Sequence, residues 1–174
     1  LGDSYKFFNL EENIVEIGSS FSLIQAGRKL VNKGYVKYIF FNLIPATIGG
    51  AVRQNAGTGF GEEIKDVCFS SKLYDIKENK IVEMSNSELL FDYRYSLIKK
   101  MPERYIILSA KFMLSDKEKD IDLLIDKMKS RVKEKSDREP KGYCFGSTFM
   151  NHEKSAWQYV SQIIDDLNPN FNVQ

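Results

Sequence analysis

With 174 residues, 43% of them hydrophobic and 13% aromatic, the chain carries enough apolar side chains for one sizeable core or two small ones, which excludes a disordered or fibrous protein. Its 25 lysines and arginines balance 24 acidic residues, so no single-sign field selects nucleic acid or a membrane surface as partner. Cys68, Cys144 and the single histidine, His152, fit no metal or redox spacing, so no metal is expected and a reduced, cytoplasmic setting is.

No apolar run reaches the roughly 18 residues of a spanning helix. The start lacks the layout of a signal peptide, and with no initiator Met, Leu1 is expected to be a cut or processed end. In chain order, Ile14–Gly18 alternates as a short strand. Ser20 or Ser22 then caps a helix in which Leu23, Ile24, Gly27, Leu30 and Val31 recur at helical spacing, with Lys33 and Gly34 as its stop. The run from Val36 to Phe41, with Tyr38, Phe40 and Phe41 after Tyr35, reads as core, the other reading being a stacking platform.

Next comes LIPATIGGAVRQNAGTGFG, Leu43 to Gly61, in which the adjacent Gly49 and Gly50 keep side chains out of the way. Successive N–H groups in such a turn make an anion-binding concavity. The other reading is a tight crossing of two backbones in the core. Neither GxGxxG nor a Walker A motif is present.

Asp66 to Asp75 predicts a strand with Val67, Phe69 and Leu73 on one face, turning at Lys77–Lys80 into a partner strand over Ile81–Met84. Ser85-Asn86-Ser87-Glu88 is a capping box that opens a helical turn through Leu89 and Leu90. It leads to Phe91-Asp92-Tyr93-Arg94-Tyr95-Ser96, where an arginine between tyrosines reads by itself as a solvated or stacked surface residue. Tyr105 to Leu114 predicts the cleanest strand, with Ile106, Leu108, Ala110, Phe112 and Leu114 as an unbroken apolar face.

Ser115-Asp116-Lys117-Glu118 predicts a second capping box, opening a helix through Ile121, Leu124, Ile125, Met128 and Val132 whose other face is solvated by charge. Pro140 and Gly142 end this region and begin a loop, Phe145 to His152, in which Ser147 by itself reads as a turn residue. Lys154 to Leu167 predicts a final amphipathic helix with Trp157, Val160, Ile163, Ile164 and Leu167 on one side.

Three of these stretches resemble, in order, the motifs of the MurB family, the UDP-N-acetylenolpyruvoylglucosamine reductases. They are Ile44-Pro45-Ala46-Thr47-Ile48-Gly49-Gly50-Ala51-Val52 with Gln54-Asn55-Ala56-Gly57, then Phe91-x-Tyr93-Arg94-x-Ser96, then Gly146-Ser147-x-Phe149-Met150-Asn151. The resemblance implies an α+β fold: part of a flavin-binding α+β domain over residues 1–114, and a small, incomplete α/β substrate-binding domain over 115–174. It implies FAD as cofactor, bound through Ile44, Pro45, Thr47, Gly49, Gly50, Asn55, Gly57 and Ile64, with NADPH as hydride source and a sugar nucleotide as substrate.

On the same basis Arg94 and Ser147 are the catalytic residues, Ser147 giving the proton, and Tyr93, Arg94 and Asn151 bind substrate. Met150 stands where the family has lysine and His152 where it has proline, departures that bear on substrate-phosphate or backbone contacts there. A first flavin-binding half with a Gly-x-Gly-Ser-Asn-type loop, and a later catalytic glutamate, have no counterpart in this sequence. The alternative is a truncated, flavin-free relative acting as a binding or regulatory domain.

Overall fold

The computed structural model describes residues 2–139, 142, 150–151 and 155–167, which fall in two units, Leu1–Lys135 and Ser136–Gln174. The first unit is mixed α+β. Its strands are β1 (Phe8–Leu10), β2 (Ile14–Gly18), β3 (Cys68–Asp75), β4 (Lys80–Ser85) and β5 (Tyr105–Met113), all antiparallel in the order β1-β2-β5-β3-β4. Among the described residues, the last strand in sequence is thus the central one.

One face of the sheet is covered by α1 (Leu23–Val31), a 3-10 helix over Val36–Leu43, and α2 (Ile48–Gln54). Ser22 caps α1 by accepting from Gln25 N, which selects it over Ser20, and Leu23, Ala26, Leu30 and Val31 are buried. The aromatic run is core: Tyr38, Phe40 and Phe41 are buried, and the Phe41 ring meets Tyr38, Phe40 and Phe112 edge-on at 5.1, 4.9 and 5.4 Å between centroids. Burial likewise makes Cys68 a core side chain, its thiol pushed up to about 12 and therefore neutral at physiological pH.

The opposite face of the sheet is polar at its centre. Glu16 accepts from Ser109 Oγ at 2.6 Å and faces Lys72 at 3.4 Å, while Glu83 accepts from Ser70 Oγ at 2.6 Å and Lys111 Nζ at 2.9 Å. Two irregularities between β3 and β5 break the expected alternation. Cys68 pairs with Phe112 and Ser70 with Lys111, so Phe69 is extra and exposed rather than on the buried face with Leu73. Lys72 pairs with Ser109 but Leu73 with Ile107, leaving Leu108 unpaired. An inserted residue flips all that follow or precede it to the other face. Ile107 therefore points to the core and Ile106 is exposed, so the apolar face predicted from Ile106 to Leu114 is interrupted at the bulge.

The helix predicted to open at Ser115 begins later, as α4 (Ile121–Arg138), with Asp120 Oδ1 accepting from Leu123 N at 3.0 Å. Tertiary pairing overrides the local signal. Lys117 bridges to Tyr35, Glu118 N donates to Gly34 O, and Asp116 takes a φ of 56°. Residues 115–135 sit in the first unit, with Leu124 buried against Val31 and Ile39. A short helix, α3 (Leu97–Lys100), precedes β5.

In the second unit, α5 (Ala156–Leu167) starts two residues after the expected Lys154, and Ile163 on it is exposed. Among the described residues no helix is long and apolar enough to cross a membrane. Among those same residues, no group of three His, Cys, Asp or Glu is placed to hold a metal ion.

Two predictions follow from the packing. Phe41→Ala removes the ring at the centre of the aromatic cluster and is expected to cost about 3–5 kcal/mol in chemical denaturation. Asp75, buried at the end of β3, accepts from Arg104 Nε and Nη2 at 3.1 and 3.0 Å and from the amides of Lys77 and Glu78. Burial pushes its carboxyl up, but the guanidinium and the two amides outweigh that and hold it below the usual carboxylate range. Its contribution is therefore present above the unfolded-state value near ~3.9 and is lost as pH falls through the lower folded value. Asp75→Asn should lower the melting temperature at pH 7 and flatten its acid-side decline, measured by thermal melts from pH 7 to 2.

Candidate functional site

The glycine segment folds as a short helix sewn to the turn that follows β2. Thr47 caps α2 by accepting from Gly50 N at 3.3 Å, Ile48 N donates to Phe21 O, and Gly49 N donates to Ser19 O at 2.9 Å. The N–H groups expected to form an open anion-binding concavity are thus engaged inside the protein. Gly49 serves close approach instead, since a Cβ there would sit 3.0 Å from Ser19 Cβ and 3.3 Å from Ser19 O. Gly50 differs: a Cβ would meet only Thr47 Oγ1, at 3.4 Å.

Thr47, Gly49 and Gly50 line one wall of a groove of about 480 Å³, together with Ser19, Ser20 and Arg53, and Tyr105, Ile106 and Ile107 line another part of it. Ser19 is buried at this wall, and among the described residues its Oγ has no hydrogen-bond partner. A larger cavity, about 670 Å³ beside Lys33, Tyr35 and Lys117, contains none of the expected site residues.

At the other end of α2, Asn55 takes a left-handed conformation, φ 45°, which asparagine tolerates better than most residues. It is fully buried. Its Nδ2 donates to Glu63 Oε2 at 3.0 Å and to Asp92 O at 2.8 Å, and its Oδ1 accepts from Lys65 N at 2.9 Å. Gly57 pairs with Glu63 across a loop, and a Cβ on Gly57 would come within 2.6 Å of Glu63 Cγ and 3.2 Å of Arg94 Nη1. Ile64 is buried in the core, Ile44 is half-buried against it, and Pro45 is exposed.

Arg94 reaches this same loop. Its Nη2 donates to Gly57 O at 3.0 Å, its Nη1 lies 3.6 Å from Glu63 Oε1, and the guanidinium stacks over Tyr93 at 5.0 Å. The residue itself has a φ of 53°, a strained choice for arginine, held within a turn in which Asp92 and Tyr95 pair. Among the described residues, buried Nη1 has no hydrogen-bond partner. Two positions on, the buried Ser96 donates to Arg53 O at 2.6 Å and accepts from Lys99 N at the start of α3. The tyrosine-arginine stretch and the glycine segment, some forty residues apart, therefore form one hydrogen-bonded assembly around α2.

Glu63 joins them and was not anticipated from sequence. It accepts from Asn55, faces Arg94 and holds the Lys65 ammonium at 2.9 Å, keeping that ammonium above its usual value. No local pattern around Glu63 announces these long-range partners. Asn151, in the second unit, is exposed and accepts from Ala156 N at 2.9 Å, capping α5. Ser147 and His152 lie outside the described residues.

No protein-family profile matches the chain. Individual relatives do. The UDP-N-acetylenolpyruvoylglucosamine reductase of Clostridioides difficile is 33% identical over 168 residues, 95% of this chain and 52% of that protein. That of Caldicellulosiruptor saccharolyticus is 32% identical over 162 residues, 92% of this chain and 50% of that protein. Among solved structures, UDP-N-acetylenolpyruvylglucosamine reductase (MurB) from Thermus caldophilus superposes with a TM-score of 0.75 at 22% identity, covering 92% of this chain and 56% of that one. The chain spans about half the length of the relatives it matches. Sequence and fold thus agree over nearly all of this chain, which is a MurB-family homologue matching about half the length of those relatives.

Proposed function

We propose that this chain is the second part of the flavin-binding domain of an enolpyruvyl reductase, leading from residue 115 into an incomplete substrate-binding domain. The substrate is the enolpyruvyl ether of UDP-N-acetylglucosamine, and the reaction runs in the cytoplasm. The observation that carries this reading is the single assembly in which Asn55, Gly57, Glu63 and Arg94 meet at one end of α2 while Thr47, Gly49 and Gly50 at its other end form part of a groove wall. Seven helical residues at about 1.5 Å each separate the two ends by roughly 10 Å.

The groove residues fit one side of a flavin. Thr47, Gly49 and Gly50 leave the wall low, and the partnerless hydroxyl of Ser19 lies in it. Ile44 and Pro45 lead into that wall, while Asn55, Gly57 and Ile64 act from inside, holding the segment in place. When bound, FAD supplies a hydride that originates from NADPH. The remaining flavin contacts, in this reading, come from another segment. Reduction of the enolpyruvyl double bond adds that hydride and one proton, and charge builds on the substrate carboxylate between the two events. Arg94 is the cation that stabilises this charge, its planar fork matching a carboxylate. Tyr93 supports the guanidinium by stacking, Ser147 gives the proton, and Asn151 holds the sugar nucleotide.

One observation favours the flavin-free alternative: the Arg94 guanidinium is turned inward, toward Gly57 O and Glu63, and must exchange part of that contact for a substrate carboxylate. A fluorescence titration with FAD separates the readings. Binding is expected with a dissociation constant weaker than about 1 µM, because the groove offers one wall only. Gly50→Leu, whose Cβ would make only an ordinary contact with Thr47 Oγ1 at 3.4 Å, should leave the melting temperature close to that of the parent and weaken FAD by about tenfold or more. No quenching up to about 1 mM FAD would overturn the flavin reading in favour of the remnant.

A further inference from the structure

The loop that holds Arg94 is itself held from a distant element. Arg131, near the middle of α4, points its guanidinium at Glu62 so that Nη1 meets Oε1 at 2.5 Å and Nη2 meets Oε2 at 2.8 Å. The same guanidinium lies over the Phe60 ring, 4.7 Å from its centroid. Thr58 Oγ1 donates to Glu62 Oε2 at 2.7 Å and accepts from Phe60 N at 3.2 Å, and Thr58 N donates to Glu62 O. The tip of the loop is thereby folded around one arginine. Its next residues outward, Gly57 and Glu63, pair with each other and are the two that contact Arg94.

Without Arg131, Glu62 and Glu63 would be adjacent carboxylates with one cation fewer between them. Burial pushes the Glu62 carboxyl up, but the hydrogen bonds from Arg131 and Thr58 outweigh it and hold it below its usual value. The pair is bidentate, and Arg131 is 23% exposed against 34% for Glu62, which separates it from open surface ion pairs such as Lys129–Asp126 at 68% and 74%.

We propose that Arg131 is a positioning residue: through Glu62 and Phe60 it sets the loop 57–63 so that the Gly57 carbonyl and the Glu63 carboxylate hold Arg94. Its bearing on catalysis rests on the reading of Arg94 as the carboxylate clamp, whereas the mechanical coupling from α4 to Arg94 does not. Lysine cannot replace the fork, because an ammonium is a point charge and stacks poorly on a ring.

The test uses the whole 174-residue chain with 15N-labelled arginine. Side-chain NMR of Arg94 and amide hydrogen exchange are compared in the parent, Arg131→Ala, Arg131→Lys and Glu62→Gln. Loss of a charge-assisted bidentate contact predicts about tenfold faster exchange of the 58–63 amides in Arg131→Ala. The Arg94 guanidinium resonance should shift and broaden, while β5 amides keep their protection. Arg131→Lys should restore little of either signal, and Glu62→Gln should reproduce the loss, serving also if Arg131→Ala fails to fold. An unmoved Arg94 resonance in both Arg131→Ala and Glu62→Gln overturns the proposal, as does equal acceleration of loop and β5 amides. None of these readouts involves flavin or substrate, so failure of the FAD titration and failure of this coupling are separate results.

Discussion

The side chain of Asn55 is the point on which the candidate site depends. Helix α2 must end abruptly for the chain to turn back along its own flank, and a left-handed residue does this at the position where asparagine stands. Having turned, the amide is enclosed, and a buried amide without partners would cost a few kcal/mol by the usual estimates. It finds three: the Glu63 carboxylate, the Asp92 carbonyl and the Lys65 amide. These partners belong to two segments, the turn at 63–65 and the turn at Asp92, which the amide ties together. Arg94 acquires its place as a result, because the loop bearing Gly57 and Glu63 and the turn bearing Asp92 are pinned by the same amide.

Around this point the interactions are strongly polar yet largely enclosed, which makes them mutually dependent. Glu63 answers to Asn55, Lys65 and Arg94 together, and Ser96 ties the far side of the arginine turn back to α2. A polar network of this kind fixes one arrangement when all members are satisfied and loses it when one is missing. The exception among the described residues is Arg94 Nη1, which makes no hydrogen bond and lies 3.6 Å from Glu63 Oε1.

Features set within a few residues were legible in the sequence. The Ser22 cap, β2, the β4 partner strand and the reciprocal bonds between Ser85 and Glu88 all rest on local spacing, and the structure shows each of them. Features set by distant partners were not. The bulges that expose Phe69 and Ile106 arise from how β3 and β5 fit against each other, and neither strand alone contains that information. The start of α4 moved from Ser115 to Ile121 because residues 116–118 are engaged by Gly34, Tyr35 and Val36. At the site, motif order brought Asn55, Gly57 and Arg94 to notice, but Glu63 and Arg131 act through pairings visible only in three dimensions. The Gly49–Gly50 pair shows the limit most clearly: glycine content suggested a backbone cradle, and the fold uses one glycine for clearance and leaves the other bordering a groove.

The placement of β5 in the middle of the sheet has a consequence for how the protein comes into being. The β1–β2 and β3–β4 hairpins are local, but among the described residues only β5 joins them, and it leaves the ribosome after all four of those strands. At 5–20 residues per second, on the order of 5–20 s separate the emergence of β2 from that of its partner. During that interval β2 and β3 each present an unpaired edge, and α1 and the aromatic 3-10 helix have no completed sheet to pack on. Nascent chains at this stage are therefore the form most dependent on chaperone protection, and a synonymous change that slows translation before residue 105 lengthens that exposure without altering a single contact of the finished fold.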